Sequence, residues 1–245
     1  MASRWLPLES NPDVMNAWSS KAGLVTSQDQ FTDVYGFDPD LLAMVPQPVK
    51  AVVLLFPISK EYEARRTAED ESIARAGQHP VDPTVIWIKQ TIQNACGTMG
   101  LLHALLNSNV TLEPESALEK FIDLCKGKTP EERAKLLETT PLFANIHAEA
   151  AAGGQTAAPD ISEDVDLHFT CFVRAPDPAG HAEGVAAPEG AHRLLELDGR
   201  RAGPIDRGVS EDLLRDAAAY IKENYVKDST SVNFSMLALA PPADF

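Results

Sequence analysis

The segment QTIQNACGTMGLLHALLN, residues 90–107, limits most what this chain can fold into. It follows the apolar, β-branched run TVIWIK at 84–89, which reads as a strand. Residues 94–107 then read as a core helix, with Gly97, Gly100 and Ala104 on one face at i, i+3 and i+7. Each glycine costs about 1 kcal/mol against alanine in a helix. What it permits is close approach of another backbone, so the helix is expected to be tightly buried. Asn94 serves as N-cap in this reading and puts Cys96 in the first turn. There the free N–H groups and the positive end of the helix dipole favour a thiolate.

Other elements are marked as clearly. VKAVVLLFPI at 49–58 is a continuous apolar run, as for a strand covered on both faces. VDLHFTCFV at 165–173 alternates, with Val165, Leu167, Phe169, Cys171 and Val173 on one side. Further strands are expected at 192–199 and 232–240, and a sixth near 203–206. Helices start at Asn11-Pro12, with Gly23 past the end, at Asp38-Pro39, and at Thr129, where Glu132 completes a capping box. Leu213, Leu214, Ala217, Ala218 and Ile221 have helical spacing. Residues 147–164 and 175–191, rich in Ala, Gly and Pro, read as long loops. The mixture is α/β (α+β). No linker divides the 245 residues, so 1–245 is expected to form one domain.

Composition removes several classes of function. The net charge is −15 and no basic patch recurs, so nucleic acid and anionic membrane are not expected as partners, whereas a basic protein would be attracted. No run of 18 apolar residues occurs, and the N-terminus has too short an apolar run for a signal peptide. The three cysteines, Cys96, Cys125 and Cys171, are widely spaced without a CxxC pair. That argues against disulfides and against a zinc site, and points to the reducing cytoplasm or nucleus. No cofactor motif is found.

Chemistry gathers at Cys96. A thiolate that attacks a carbonyl creates an oxyanion needing fixed donors; the Gln90 amide and the Cys96 N–H suit that task. A base is needed as well. His103 lies about 10 Å along the same helix, at 1.5 Å per residue, too far for proton transfer. His79 looks like surface loop, His147 and His181 fall in the two loops, and His192 opens a strand. His168 sits mid-strand, opposite the apolar face. Pairing 165–174 with 192–200, so that Arg174 roughly faces Arg193, places His168 opposite Gly199. Asp198 is then the nearest carboxylate to orient the imidazole. Cys125 and Cys171 fit ordinary buried thiols.

With these residues in hand, QTIQNACGTMGLLHAL, VDLHFTCFV and LELDGR, together with WLPLESNP, DVYGFDPDLLAMVP and LLFPI, resemble the ubiquitin C-terminal hydrolases, in particular the short single-domain members. The resemblance covers nearly the whole chain. It implies a papain-like fold with a central, mainly antiparallel six-stranded sheet, flanking helices and a knotted path. It implies a deubiquitinating thiol protease that hydrolyses esters, thioesters, amides and small peptide adducts at the C-terminal glycine of ubiquitin. Cys96 would be the nucleophile, His168 the general base and acid, Asp198 its orienting group and Gln90 the oxyanion donor. Ubiquitin, or a ubiquitin-like modifier, would be held by Pro7, Leu8, Glu9, Ser10, Asn11 and Pro12. A crossover loop within 147–164 would add Ala151, Ala152, Gly153, Gly154, Gln155, Thr156, Ala157 and Ala158. Residues 222–231 match a further contact segment. The expected acting unit is a monomer. The competing reading is a module that sequesters ubiquitin with little turnover, and the complete set of four catalytic residues argues against it.

Overall fold

In the computed structural model, residues 4–156, 166–178 and 190–243 are described. In chain order the elements are α1 (Pro12–Ala22), β1 (Gln30–Asp33), α2 (Pro39–Leu42), β2 (Ala51–Pro57), α3 (Lys60–Ala76), α4 (Cys96–Leu106) and α5 (Ala117–Cys125). There follow α6 (Pro130–Thr139), α7 (Pro141–Ala152), β3 (Leu167–Pro176), β4 (His192–Leu197), β5 (Ile205–Val209), α8 (Leu213–Ile221) and β6 (Ser235–Ala240). The strands form one sheet in the order β1-β6-β2-β3-β4-β5, with every pairing antiparallel. β2 and β3 lie at its centre, as their apolar character on both faces requires. Ala51, Val53, Phe169, Cys171 and Val173 face the layer built on α1, α4, α5, α6 and α7. Val52, Leu54, Phe56 and Phe172 face α2 and α8.

The helix starts follow the local chemistry. Asn11 accepts from the Asp13 N–H, and Gly23 ends α1 at φ 116°, a conformation that suits glycine. Thr129 and Glu132 form the expected capping box on α6. Asp38 precedes α2 without a side-chain cap.

Several expectations are corrected. Residues 84–89 belong to no strand, and Thr84 sits in a turn. Their backbone groups bond to side chains instead: Asn107 Oδ1 accepts from the Ile86 N–H at 2.7 Å, and His103 Nε2 from the Ile88 N–H at 3.1 Å. The place of 84–89 in the count of six is taken by β1, a four-residue edge strand with one buried residue, Phe31, whereas the short strand expected near 203–206 is present as β5. The 147–164 loop is helical as far as Ala152, because α7 runs through it; of the remainder, residues 157–164 lie outside the described residues. In the 175–191 insertion, Ala175 and Pro176 still belong to β3, and residues 179–189 lie outside the described residues. The β3–β4 register is one residue from that expected: Arg174 pairs with Leu194, not Arg193. This shift sets Cys171 opposite Leu197 and Val173 opposite Leu195, so apolar side chains match on the buried face.

Candidate active site

α4 is buried from Gly97 to Leu105, and Cys96, its first residue, is only half-buried. The helix enters the core with its head at the surface of a cleft. Asn94 is not its N-cap, contrary to expectation. Asn94 has φ 62°, a left-handed turn that Asn tolerates better than most residues. Ala95 is the cap and offers no side-chain hydrogen bond. An Asn94 cap would have occupied first-turn N–H groups. Without one, no side chain among the described residues caps them, which leaves them available to act on something in the cleft. Gly97 is required there: a Cβ on it would lie 2.9 Å from Leu8 Cβ. Gly100 is not, since its added Cβ would meet Val53 at an ordinary 3.4 Å.

Antiparallel pairing puts the start of β3 beside the end of β4, and the two polar partners come from those ends. His168 Nε2 lies 2.7 Å from Asp198 Oδ1, and both side chains are buried. Asp198 Oδ1 also accepts from the Arg200 N–H at 2.8 Å, and the Asp198 carbonyl accepts from Trp87 Nε1 at 3.1 Å. The other ring nitrogen of His168, Nδ1, is left for Cys96, which lies close enough for the two side chains to shift each other's pKa. Phe56, its cross-strand neighbour, stands edge-on to the ring at 5.7 Å.

The electrostatics follow from this contact. Burial raises the Cys96 thiol pKa. The hydrogen bond and charge of His168, helped by the Phe169 N–H, outweigh burial and hold it below the ordinary thiol value. Burial pulls His168 down, but the Asp198 carboxylate and the bond to Cys96 raise it to about 10. Burial raises Asp198, and the His168 charge brings it below its usual value. The arrangement therefore favours a thiolate–imidazolium pair. The other cysteines contrast with this: burial pushes Cys125 up to about 11 and Cys171 higher still, so both are inert thiols.

Gln90 is anchored next to this group. Its N–H donates to the Gly199 carbonyl at 2.9 Å, and its side-chain amide donates to the Ile92 carbonyl at 3.2 Å. Its Oε1 is buried with no partner among the described residues. His168 and Asp198 are thus joined by a hydrogen bond, Cys96 is coupled electrostatically to His168, and Gln90 is tied to the residue after Asp198.

The cleft, about 240 Å³, is lined by Pro7, Leu8, Glu9, Ser10, Leu55, Asn94, Cys96, Ala151, Thr156, Leu167 and Phe169. Of the expected contact residues, 7–10, Ala151 and Thr156 are therefore in its walls. Asn11 and Pro12 instead start α1, Ala152 ends α7, and Gly153, Gly154 and Gln155 are outside the lining. Ala157 and Ala158 lie outside the described residues. Glu9 joins the two walls: its Oε2 accepts from Thr156 N at 3.0 Å and Thr156 Oγ1 at 2.9 Å. The Thr156 N–H is the main reason that Glu9 sits below its usual pKa. From 222–231, Asn224, Tyr225 and residues 228–231 line a second hollow with Phe56, Tyr62 and Arg65.

Two histidines have structural positions that their sequence context did not reveal. His103 accepts from the Ile88 N–H and so donates from Nδ1 to the Leu197 carbonyl at 3.1 Å; burial lowers its pKa to about 4. His147, expected in a loop, is on α7 and fully buried. The helical spacing of Phe143, Ile146 and Ala150 around it was the available signal.

A thiol coupled to an imidazole that a carboxylate holds by a hydrogen bond, with the thiol at the uncapped head of a buried helix, defines a cysteine-type hydrolase. Residues 5–226 match the family model for ubiquitin carboxyl-terminal hydrolase, family 1. The chain is 42% identical over 243 residues to ubiquitin carboxyl-terminal hydrolase 3 of Arabidopsis thaliana, covering 98% of this chain and 95% of that relative. It is 38% identical to a ubiquitin carboxyl-terminal hydrolase of Aplysia californica, over 92% of this chain and 96% of that one. In fold it resembles the crystal structure of the Trichinella spiralis UCH37 catalytic domain bound to ubiquitin vinyl methyl ester. There the TM-score is 0.71 at 22% identity, over 97% of this chain and 96% of that one. The chain belongs to the family 1 ubiquitin carboxyl-terminal hydrolases.

Proposed function

We propose that this chain hydrolyses the bond after the C-terminal glycine of ubiquitin, and that it does so through Cys96. The Cys96–His168–Asp198 series opening onto the cleft carries the reading. The ubiquitin tail lies in the cleft between residues 7–10 and Thr156. The Cys96 thiolate attacks the glycine carbonyl, and the oxyanion is met by the Cys96 N–H and by the Gln90 amide, which turns from Ile92. His168, as imidazolium, protonates the leaving amine, alcohol or thiol, and the acyl group remains on Cys96 as a thioester. His168, now neutral, takes a proton from water, which attacks the thioester and frees ubiquitin. Asp198 holds the ring through Nε2 and stabilises its charged form. All these groups come from one chain, which supports a monomer as the acting unit, and ubiquitin-like modifiers with a similar tail are candidate partners. The reducing compartment that suits a free thiolate is the cytoplasm or nucleus.

The test is Cys96→Ala with a reporter on the ubiquitin C-terminus. Turnover should vanish while ubiquitin is still bound; Cys125→Ala and Cys171→Ala should keep turnover. Hydrolysis persisting without Cys96 would refute the mechanism. Binding without turnover by the unaltered chain would favour a sequestering module instead.

A further inference from the structure

The proposed chemistry does not use His147, although this histidine is fully buried and both its nitrogens are engaged. Nδ1 lies 2.8 Å from Thr98 Oγ1, and Nε2 contacts the Leu6 carbonyl. A carbonyl only accepts, so Nε2 carries the proton and donates; Nδ1 then accepts from the Thr98 hydroxyl. The ring has one donor and one acceptor in its neutral form and uses each once. Burial keeps it neutral, with a pKa of about 4. Trp5 packs against it with ring centroids 4.4 Å apart.

Its three attachments matter by their places in the fold. Thr98 is in the first turn of α4, two residues after Cys96. His147 itself is on α7, which leads through Ala151 toward Thr156 in the cleft wall. Leu6 immediately precedes the opposite wall at 7–10. Residues 5–10 have no regular structure and are held as a strap by separate points. The Trp5 N–H bonds the Gln93 carbonyl at 2.9 Å, Leu8 sits on Gly97, Glu9 bonds Thr156, and Ser10 Oγ donates to Ser235 Oγ at 2.9 Å. Of these side chains, His147 is the one bonded to the strap and to the first turn of α4 at once.

We propose that His147 is a positioning residue that sets the strap at 7–10 against the head of the nucleophile helix, and so fixes the width of the cleft that receives the substrate tail. This rests on the reading of the cleft as the ubiquitin-tail site. His147 touches no reacting atom. Its loss should therefore act on substrate capture and leave the intrinsic reactivity of Cys96 alone.

Two substitutions divide its functions. His147→Gln can keep an N–H donor near the Nε2 position for the Leu6 carbonyl but gives up the acceptor for Thr98. His147→Asn can keep an acceptor near Nδ1 for Thr98 but is too short to reach Leu6. Each variant is measured for KM and kcat with a ubiquitin C-terminal reporter, and for the rate of Cys96 alkylation by iodoacetamide across pH. His147→Asn should raise KM by about 5- to 30-fold, the effect of losing one well-made buried hydrogen bond. Its alkylation rate and pH profile should match the wild type. His147→Gln and Thr98→Val keep the strap bond but cut the bond to the head of α4, so both should also raise KM while leaving the alkylation rate at the wild-type value. Wild-type KM in His147→Gln and Thr98→Val, which cut the link to α4, or alkylation that slows in step with KM, would overturn the proposal. If His147→Asn does not fold, His147→Gln and Thr98→Val still decide, since a wild-type KM in both refutes the bridge. Wild-type protein that is alkylated but turns over no ubiquitin reporter would instead refute the function proposed above.

Discussion

Gly199 joins the two halves of the catalytic group, and Gly199→Ala tests whether that junction matters. A Cβ there would lie 2.8 Å from Gln90 Cβ, 3.1 Å from Gln90 N and 3.3 Å from the Ile88 carbonyl oxygen. Carbon atoms in good contact are about 3.5–4.0 Å apart, so the 88–90 segment must retreat by about 1 Å. Two of the three obstructing atoms are backbone, and no rotamer change relieves them. The Gln90 N–H bond to the Gly199 carbonyl spans the same gap and would lengthen with it. Overpacking of this kind costs about 1–3 kcal/mol. For a chain of this size that lowers Tm by about 2–12 °C, at about 2–4 °C per kcal/mol. The effect on turnover should be larger than stability alone implies. A 1 Å misplacement of a positioned group can cost about 100-fold, and here it moves Gln90, the proposed oxyanion donor. We therefore expect kcat to fall by one to two orders of magnitude, with KM little changed, because the walls of the tail cleft are elsewhere. The assays are differential scanning fluorimetry and steady-state hydrolysis of a ubiquitin C-terminal reporter. Gly203→Ala is the control, since its Cβ would meet nothing within 4 Å. A Gly199→Ala protein with lowered Tm but wild-type kcat would show that Gln90 need not be held against this turn.

Two further outcomes are expected. Gly100→Ala should fold with an unchanged or higher Tm, because its Cβ fits against Val53 at 3.4 Å and a helical alanine is favoured over glycine by about 1 kcal/mol; a clear fall in Tm would contradict this. Alkylation of Cys96 should set in below the ordinary thiol pKa of about 8.5. The imidazolium form of His168 should persist until it deprotonates near pH 10. Because folding raises the His168 pKa, its stabilising contribution is complete below about pH 6.5 and is lost as pH rises through about 10. A thiol that titrates like free cysteine, or a Tm indifferent to pH in that alkaline window for wild type and His168→Gln alike, would count against the ion pair.

The parts of the fold legible in the sequence were those whose chemistry is local. Pro12, Pro39 and Pro130 mark helix starts, and the apolar runs of β2 and β3 mark the sheet centre. Cys96, His168 and Asp198 could be proposed together because strand alternation and one hairpin bring them close, even with the register wrong by one. Two of the failures share a cause, which is that side chains distant in sequence took over a local rule. TVIWIK has the composition of a strand, but His103 and Asn107 of α4 satisfy its amides, and no spacing within 84–89 announces that. α3 was missed because it has no apolar stripe and no fully buried residue. It is held by ion pairs, Glu69 and Asp70 with Arg201 and Glu69 with Arg207, more than 130 residues away. The alanine-rich stretch of α7 was mistaken for loop, although alanine is the best helix former and His147 needed a rigid element to stand on.

The two ends of α4 show how the same helix serves packing and chemistry. At its C-terminal end Asn107 closes the last turn by donating to the His103 carbonyl at 2.8 Å while it also bonds Ile86, so the polar groups there are matched. At its N-terminal end the opposite holds. The preceding residues supply a left-handed turn and an alanine, neither of which caps, and glycine follows the thiol where the strap presses close. Capping that end with Ser, Thr, Asp or Asn would stabilise the helix by about 1 kcal/mol, yet the capping oxygen would take the N–H groups that an oxyanion needs. Among the described residues no side chain caps the head of the helix, which is the arrangement required if the partner of those groups is formed only during reaction.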